Sequence, residues 1–143
     1  MANTDTLTDF CYEILTPHGR VGSGTTVGVV LPAADGAIGI LARRAPLVAE
    51  LGAGRMTVHR PDGPAAEYFV AGGFAQVREG GLTVLAEECI PAASLDRQAA
   101  LAELDRARRL PTDTDADWQR RTEAMAIAKT KLYLIEEQSR PAP

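Results

Sequence analysis

Across residues 67–89 the chain reads EYFVAGGFAQVREGGLTVLAEEC, with apolar and polar positions alternating through one glycine pair and again through a second. A period of two sends successive side chains to opposite faces, so this stretch predicts consecutive antiparallel strands. The same texture predicts strands at 10–15, 25–31, 37–41, 47–51, 55–60, 66–71, 74–78 and 82–87. Between them stand Pro17-His18-Gly19, Asp35-Gly36, Gly52-Ala53-Gly54, Pro61-Asp62-Gly63-Pro64, Gly72-Gly73 and Gly80-Gly81, groups whose backbones permit tight reversals. No helical crossover lies between the strands. The expected fold is therefore an antiparallel β-sandwich or flattened barrel.

After Pro91 the pattern changes from period two to helical spacing. Residues 94–110, SLDRQAALAELDRARRL, are rich in strong helix formers, with Ser94 as the expected N-cap and Pro111 as the stop. A second helix is expected over 115–138, with Asp113, Asp115 and Asp117 near its positive end. Trp118, Arg121, Met125, Ala128, Leu132 and Ile135 recur every three or four residues and predict its buried seam; Leu101, Leu104, Ala107 and Leu110 predict a thinner facing stripe. The short joining loop favours an antiparallel α-helical hairpin. Two domains follow: a sandwich over 1–90 and a carboxy-terminal hairpin over 91–143. Alanine seams bury little area, so the hairpin is expected to depend on docking and to be a candidate moving part.

Charge separates the two segments. Up to Ile90 six arginines face ten acids, a net of −4, while the remainder has nine bases and nine acids. Such a balance argues against nucleic-acid binding. MANTDTLTDF has neither the basic start nor the apolar core of a secretory leader, and no apolar run approaches the roughly 20 residues that span a bilayer. Cys11 and Cys89 read as small buried apolar residues of a reducing compartment. The simplest reading is a soluble, cytosolic protein.

Catalytic chemistry requires convergent titratable groups, and the chain offers only His18, in a turn, and His59, expected on the strand face opposite Met56 and Val58. Neither lies in a metal-ligand or nucleophile spacing. The glycines of Gly22-Ser23-Gly24 and Gly36-Ala37-Ile38-Gly39 open no helix and lack a following Gly-Lys-Ser/Thr, so they read as turns and close backbone approaches. Glu87-Glu88 reads as a solvated edge. No enzyme is expected.

Along the chain stand, in order, FCYEILTPHGRV, VVLPAADGAIGIL, APLVAEL, YFVAGGFAQV, LTVLAEE and the alanine-rich hairpin. Taken together in that order they resemble the epsilon subunit of the rotary F-type ATP synthase, the counterpart of mitochondrial delta. The resemblance implies a non-catalytic rotor subunit of the central stalk, coupling proton-driven ring rotation to ATP synthesis. Its sandwich would lie against the gamma subunit and the c-ring, and its hairpin would reach the alpha and beta subunits and inhibit hydrolysis. It further implies a peripheral subunit on the cytoplasmic face of the bacterial inner membrane, and an isolated chain that is monomeric.

The family's gamma- and ring-facing contacts fall on Asp35, Ala37, Arg43, Arg44 and Pro46. The usual pattern after the position of Leu41 is Pro-Gly-His; this chain has Ala42-Arg43-Arg44, so Arg43 and Arg44 replace Gly-His, and Ala37 replaces a frequently acidic position. The pair reads either as a contact for acids on the ring or gamma, or as a solvated turn. Inhibitory contacts are expected at Arg106, Arg108, Arg109, Arg120 and Arg121, whose other reading is a solvated helical face. A nucleotide motif of some members, Leu/Ile-Asp-x-x-Arg-Ala, falls on Leu95 and Asp96, but Ala99 stands where its arginine belongs, so no cofactor is expected. A nucleotide sensor and a sandwich adaptor outside the family remain the competing readings.

Overall fold

The computed structural model describes residues 9–139, so most of the amino-terminal stretch read above lies outside the described residues. Eight strands come first: β1 (Phe10–Thr16), β2 (Gly19–Thr26), β3 (Gly28–Ala33), β4 (Gly36–Ile40), β5 (Leu47–Glu50), β6 (Gly54–His59), β7 (Ala66–Arg78) and β8 (Gly81–Pro91). A single 3-10 turn (Ala92–Ser94) leads to α1 (Arg97–Arg108) and α2 (Asp115–Ser139). The chain divides into two compact units after Pro91.

In the first unit the strand order is β2-β1-β8-β7-β6-β3-β4, with β5 added to β7. All neighbours are antiparallel except β1 and β8, which run parallel with Cys11 opposite Gly81 and Leu15 opposite Leu85. The antiparallel expectation thus holds for the connected strands and needs this one amendment. A parallel pair needs a long crossover, and here the whole intervening chain provides it.

Two expected boundaries also move. Segments 66–71 and 74–78 are one 13-residue strand, β7, because Gly72-Gly73 does not reverse the chain. It shifts the alternation instead: the inward residues are Tyr68 and Val70 before the pair but Ala75 and Val77 after it. β8 stays in register with β7 on both sides, while the other edge of β7 changes partner from β6 to β5. The glycines are required on geometric grounds. Both have positive φ, +74° and +96°, and a Cβ on Gly73 would collide with the Leu85 carbonyl oxygen.

The expected strand 25–31 is likewise cut by a corner at Val27. There the buried Thr26 hydroxyl donates to the His59 carbonyl (2.7 Å) and accepts from Gly28 N–H (3.0 Å), and Val27 N–H also donates to His59 (3.0 Å). Gly22-Ser23-Gly24, expected as a turn or close backbone approach, lies inside β2; Gly22 and Gly24 do lie close against the Tyr68 hydroxyl and the Tyr12 ring. The core joins Ile14, Val29, Leu31, Ile40, Met56, Val58, Val70 and Val84, each almost fully buried. His59 is exposed, opposite Met56 and Val58 as its alternation requires.

In the second unit, Asp96 rather than Ser94 caps α1, its Oδ1 accepting from Gln98 N–H at 3.3 Å. Thr114 Oγ1 accepts from Asp117 N–H at the start of α2 (3.0 Å). The buried line runs through Ala100, Leu104 and Ala107 on α1 and Ala128, Lys131 and Leu134 on α2. Leu104, Ala107 and Ala128 are buried as the periodicity requires, and Arg121, Met125, Leu132 and Ile135 are half-buried; the departures are at the ends, where Leu101 is exposed and Trp118 is 56% exposed, and at the added positions Ala100, Lys131 and Leu134. Lys131 takes a seam position because its apolar stem packs inward while its ammonium reaches Glu103 Oε1 at 2.8 Å. Periodicity alone counts lysine as polar and misses that arrangement.

Three stability changes follow. Gly73→Ala should lose about 2–4 kcal/mol, combining left-handed strain with overpacking against a backbone carbonyl. Thr26→Val should lose about 1–3 kcal/mol by leaving buried corner groups without a hydrogen bond. Both are read by urea denaturation. Glu103→Ala should lower helicity by far-ultraviolet circular dichroism and leave the sandwich's own unfolding transition unchanged.

Candidate interaction surface

The segment expected to make contacts, residues 35–46, is split by β4. Asp35 occupies the β3–β4 turn and Ala37 pairs with Pro32 at that end. Arg43, Arg44 and Pro46 lie beyond the other end of the strand, roughly 15 Å away at strand rise. The structure therefore groups Arg43, Arg44 and Pro46 and sets Asp35 and Ala37 apart.

The β4–β5 connection opens with a tight turn in which Arg44 N–H donates to the Leu41 carbonyl (3.3 Å). Arg43, third in this turn, has φ +67° and is the one non-glycine residue with positive φ among the described residues. A type II turn has this form and favours proline second and glycine third. Ala42 and Arg43 hold those places, and an L-residue in the left-handed region costs about 1–2 kcal/mol. Arg44 Nη1 donates back to the Gly39 carbonyl at 3.1 Å, bracing the turn against β4.

Pairing of Leu47 with Val77 carries this turn to the far end of β7. A cleft of about 480 Å³ results, lined by Asp9, Phe10, Ile40 and residues 41–46 on one side and residues 77–81 on the other. Arg78 joins the two loop arginines at its edge; with the Gln76 amide turned so that its oxygen faces the guanidinium, the orientation that satisfies both groups, Nε and Nη2 donate to that oxygen (3.0 and 3.1 Å). Half of the first unit's six arginines thus border one cleft in a segment of net charge −4. Leu41, 66% exposed, adds an apolar rim. Arg78 and Glu79 were not among the expected contacts, and the signal that would have found them is the β5–β7 pairing.

A second surface lies on the outer face of β5, β7, β8 and β1. Phe74 is 53% exposed and sits directly opposite Leu85, with Leu15 next in the same row and exposed Val48 alongside. This face was also absent from the expected contacts.

At the closed end of the hairpin the structure gathers Arg106, Arg108, Arg109, Arg120 and Arg121. Arg109 pairs with Asp105 (2.8 Å) and Arg120 with Asp117 (3.7 Å). Arg121 donates from Nε to the Arg108 carbonyl (3.3 Å), its guanidinium 5.7 Å from the Trp118 ring centroid. Arg106 and Arg108 have no side-chain partner among the described residues. Leu95 and Asp96 do not converge with a cation: Asp96 is occupied as a helix cap and Ala99 offers no charge.

Among the described residues no three His, Cys, Asp or Glu side chains group as metal ligands, and no helix is long and apolar enough to cross a membrane. Cys11 and Cys89 are both free thiols; Cys89 is half-buried, but Cys11 is exposed, against the expectation of burial, because it sits on the outward side of the β1 alternation beside the inward Tyr12. Burial pushes the Cys89 thiol up from 9.0 to about 12, and burial, followed by Tyr12 and Cys89, raises Tyr68. Both groups favour the neutral form when folded.

Residues 9–92 match the family described as ATP synthase, Delta/Epsilon chain, beta-sandwich domain. The chain belongs to this family. The ATP synthase epsilon chain of Parvibaculum lavamentivorans is 40% identical over 99 residues, 66% of this chain and 75% of that one. Those of Maricaulis maris and Nitrosococcus oceani are 34% and 32% identical, covering 82% and 87% of this chain and 88% and 90% of theirs. A chain of the Euglena gracilis mitochondrial ATP synthase shares the fold with a TM-score of 0.70 at 20% identity, covering 83% of this chain and 76% of that one. For this delta/epsilon chain, the expected sandwich followed by two helices is the observed architecture.

The thiol shift gives a pH test. Because the folded pKa lies above the unfolded one, the Cys89 contribution is complete below pH 9.0 and is lost as pH rises toward about 12. Denaturation midpoints should fall across that window, and Cys89→Ala should flatten the fall. In the native protein, Cys11 should react with a thiol reagent well before Cys89.

Proposed function

We propose that this chain is the epsilon-type central-stalk subunit of an F-type ATP synthase, a rotor component that couples ring rotation to ATP synthesis and has no active site. The observation that carries this reading is the continuity of its likeness to epsilon chains: an alignment of 126 residues is too long for the sandwich alone and runs into the helical unit. The sandwich docks on the gamma subunit and c-ring, through the β4–β5 turn with Arg43, Arg44 and Pro46 and through the β3–β4 turn with Asp35 and Ala37. The assembled subunit is peripheral, on the cytoplasmic face of the bacterial inner membrane.

The hairpin acts as a brake on ATP hydrolysis. Its closed end presents Trp118 and five arginines, a combination suited to an acidic surface on the alpha and beta subunits. The buried line of the α1–α2 seam is made of three alanines, two leucines and the stem of Lys131, a small apolar contact for two helices of this length. Nucleotide sensing is disfavoured by Ala99 and by the capping role of Asp96.

Truncation after Pro91, where β8 ends, should leave assembly with gamma intact and raise ATP hydrolysis by the complex severalfold. Unchanged hydrolysis in an assembled complex would remove the brake, and failure of the full chain to associate with gamma would remove the stalk assignment.

A further inference from the structure

Arg43 holds a backbone conformation that glycine adopts without strain, and Ala42 precedes it where proline would preset the turn. Both residues are unfavourable choices for the turn itself. The Arg43 guanidinium is exposed and makes no hydrogen bond or ion pair among the described residues, so no polar contact among them repays the strain. That points to a benefit from outside the sandwich.

We propose that Arg43 is the specificity-determining residue of the β4–β5 cleft, and that the cleft receives a loop of a stalk partner carrying a carboxylate beside an apolar residue. This rests on the central-stalk reading and names the chemistry of that contact. A guanidinium offers a planar fork that a carboxylate can meet with two parallel hydrogen bonds. Arg44 is held to the Gly39 carbonyl and Arg78 to Gln76, which leaves Arg43 as the arginine able to turn toward an incoming acid. The cleft is not built for a bare anion. Phe10, Ile40, Val77 and Pro46 line it with apolar surface, and Leu41 extends that surface outward. A peptide loop pairing one acid with an apolar neighbour satisfies both the guanidinium and the apolar wall.

The test compares the full-length chain with Arg43→Gly and Arg43→Lys for binding to the gamma–c-ring subcomplex of the same source. Ionic strengths of about 0.01 M and 0.15 M are used, across which the screening length shortens from about 30 to 8 Å. Arg43→Gly should melt at or above the parent temperature while binding about tenfold more weakly at low salt, with a shallower salt dependence. Arg43→Lys should retain part of the loss. Equal binding by the parent and Arg43→Gly overturns the inference and leaves the stalk reading standing. A lower melting temperature for Arg43→Gly also overturns it, because the arginine would then serve the turn. Failure of the parent to bind overturns the stalk reading and the inference together. Finally, the parent and Arg43→Gly are compared on phosphatidylcholine–phosphatidylglycerol vesicles: binding that depends on Arg43 there would replace the acidic loop with a membrane surface.

Discussion

β7 and β8 are joined along almost their whole length in one register, yet the inward face of both changes at Gly72-Gly73. Their backbones can pass so closely only because Gly73 has no Cβ to meet the Leu85 carbonyl. This single approach allows one strand pair to serve both sides of the core. It releases β7 from β6 and hands it to β5, and it sets where the β4–β5 connection comes down. The cleft bordered by Arg43, Arg44 and Arg78 is therefore a consequence of a packing constraint several residues away.

The two units are stabilised differently. The sandwich core is built from branched and aromatic side chains that are almost fully buried, each contributing on the order of 1.5–3 kcal/mol of transfer free energy. The hairpin buries three alanines, two leucines and a lysine. Its Lys131–Glu103 pair fixes the facing of the helices more than it adds net stability, since a charge pair removed from water recovers little beyond its desolvation. A rigid body for torque transmission and a loosely held helical pair for regulation are what the proposed role requires.

The turn after Leu41 is one of the places where the chain departs from the family pattern, and it is the one that carries a left-handed residue. Pro-Gly at the second and third positions is the combination that a type II turn favours on conformational grounds, and Ala42-Arg43 forms the same turn at greater cost. A change that makes local folding harder while exposing a guanidinium is more readily explained by what the side chain meets than by what the backbone gains.

Period-two alternation and the turn residues were enough to predict a β-rich first segment, and helix formers with Pro111 were enough to predict the hairpin, because these are local preferences repeated many times. Ordered sequence blocks then carried the family. What the sequence could not settle were matters decided by partners distant along the chain. Gly72-Gly73 looks like a reversal until β8 is seen to stay in register through it; Lys131 looks solvent-facing until Glu103 meets it; the parallel β1–β8 pair needs the entire sandwich as its crossover. The contact residues divide in the same way. Arg43 and Arg44 stood out as a departure from a pattern, but their separation from Asp35 and their grouping with Arg78 arose only when β5 paired with β7, since sequence fixes the local chemistry while strand pairing fixes which distant residues share a surface.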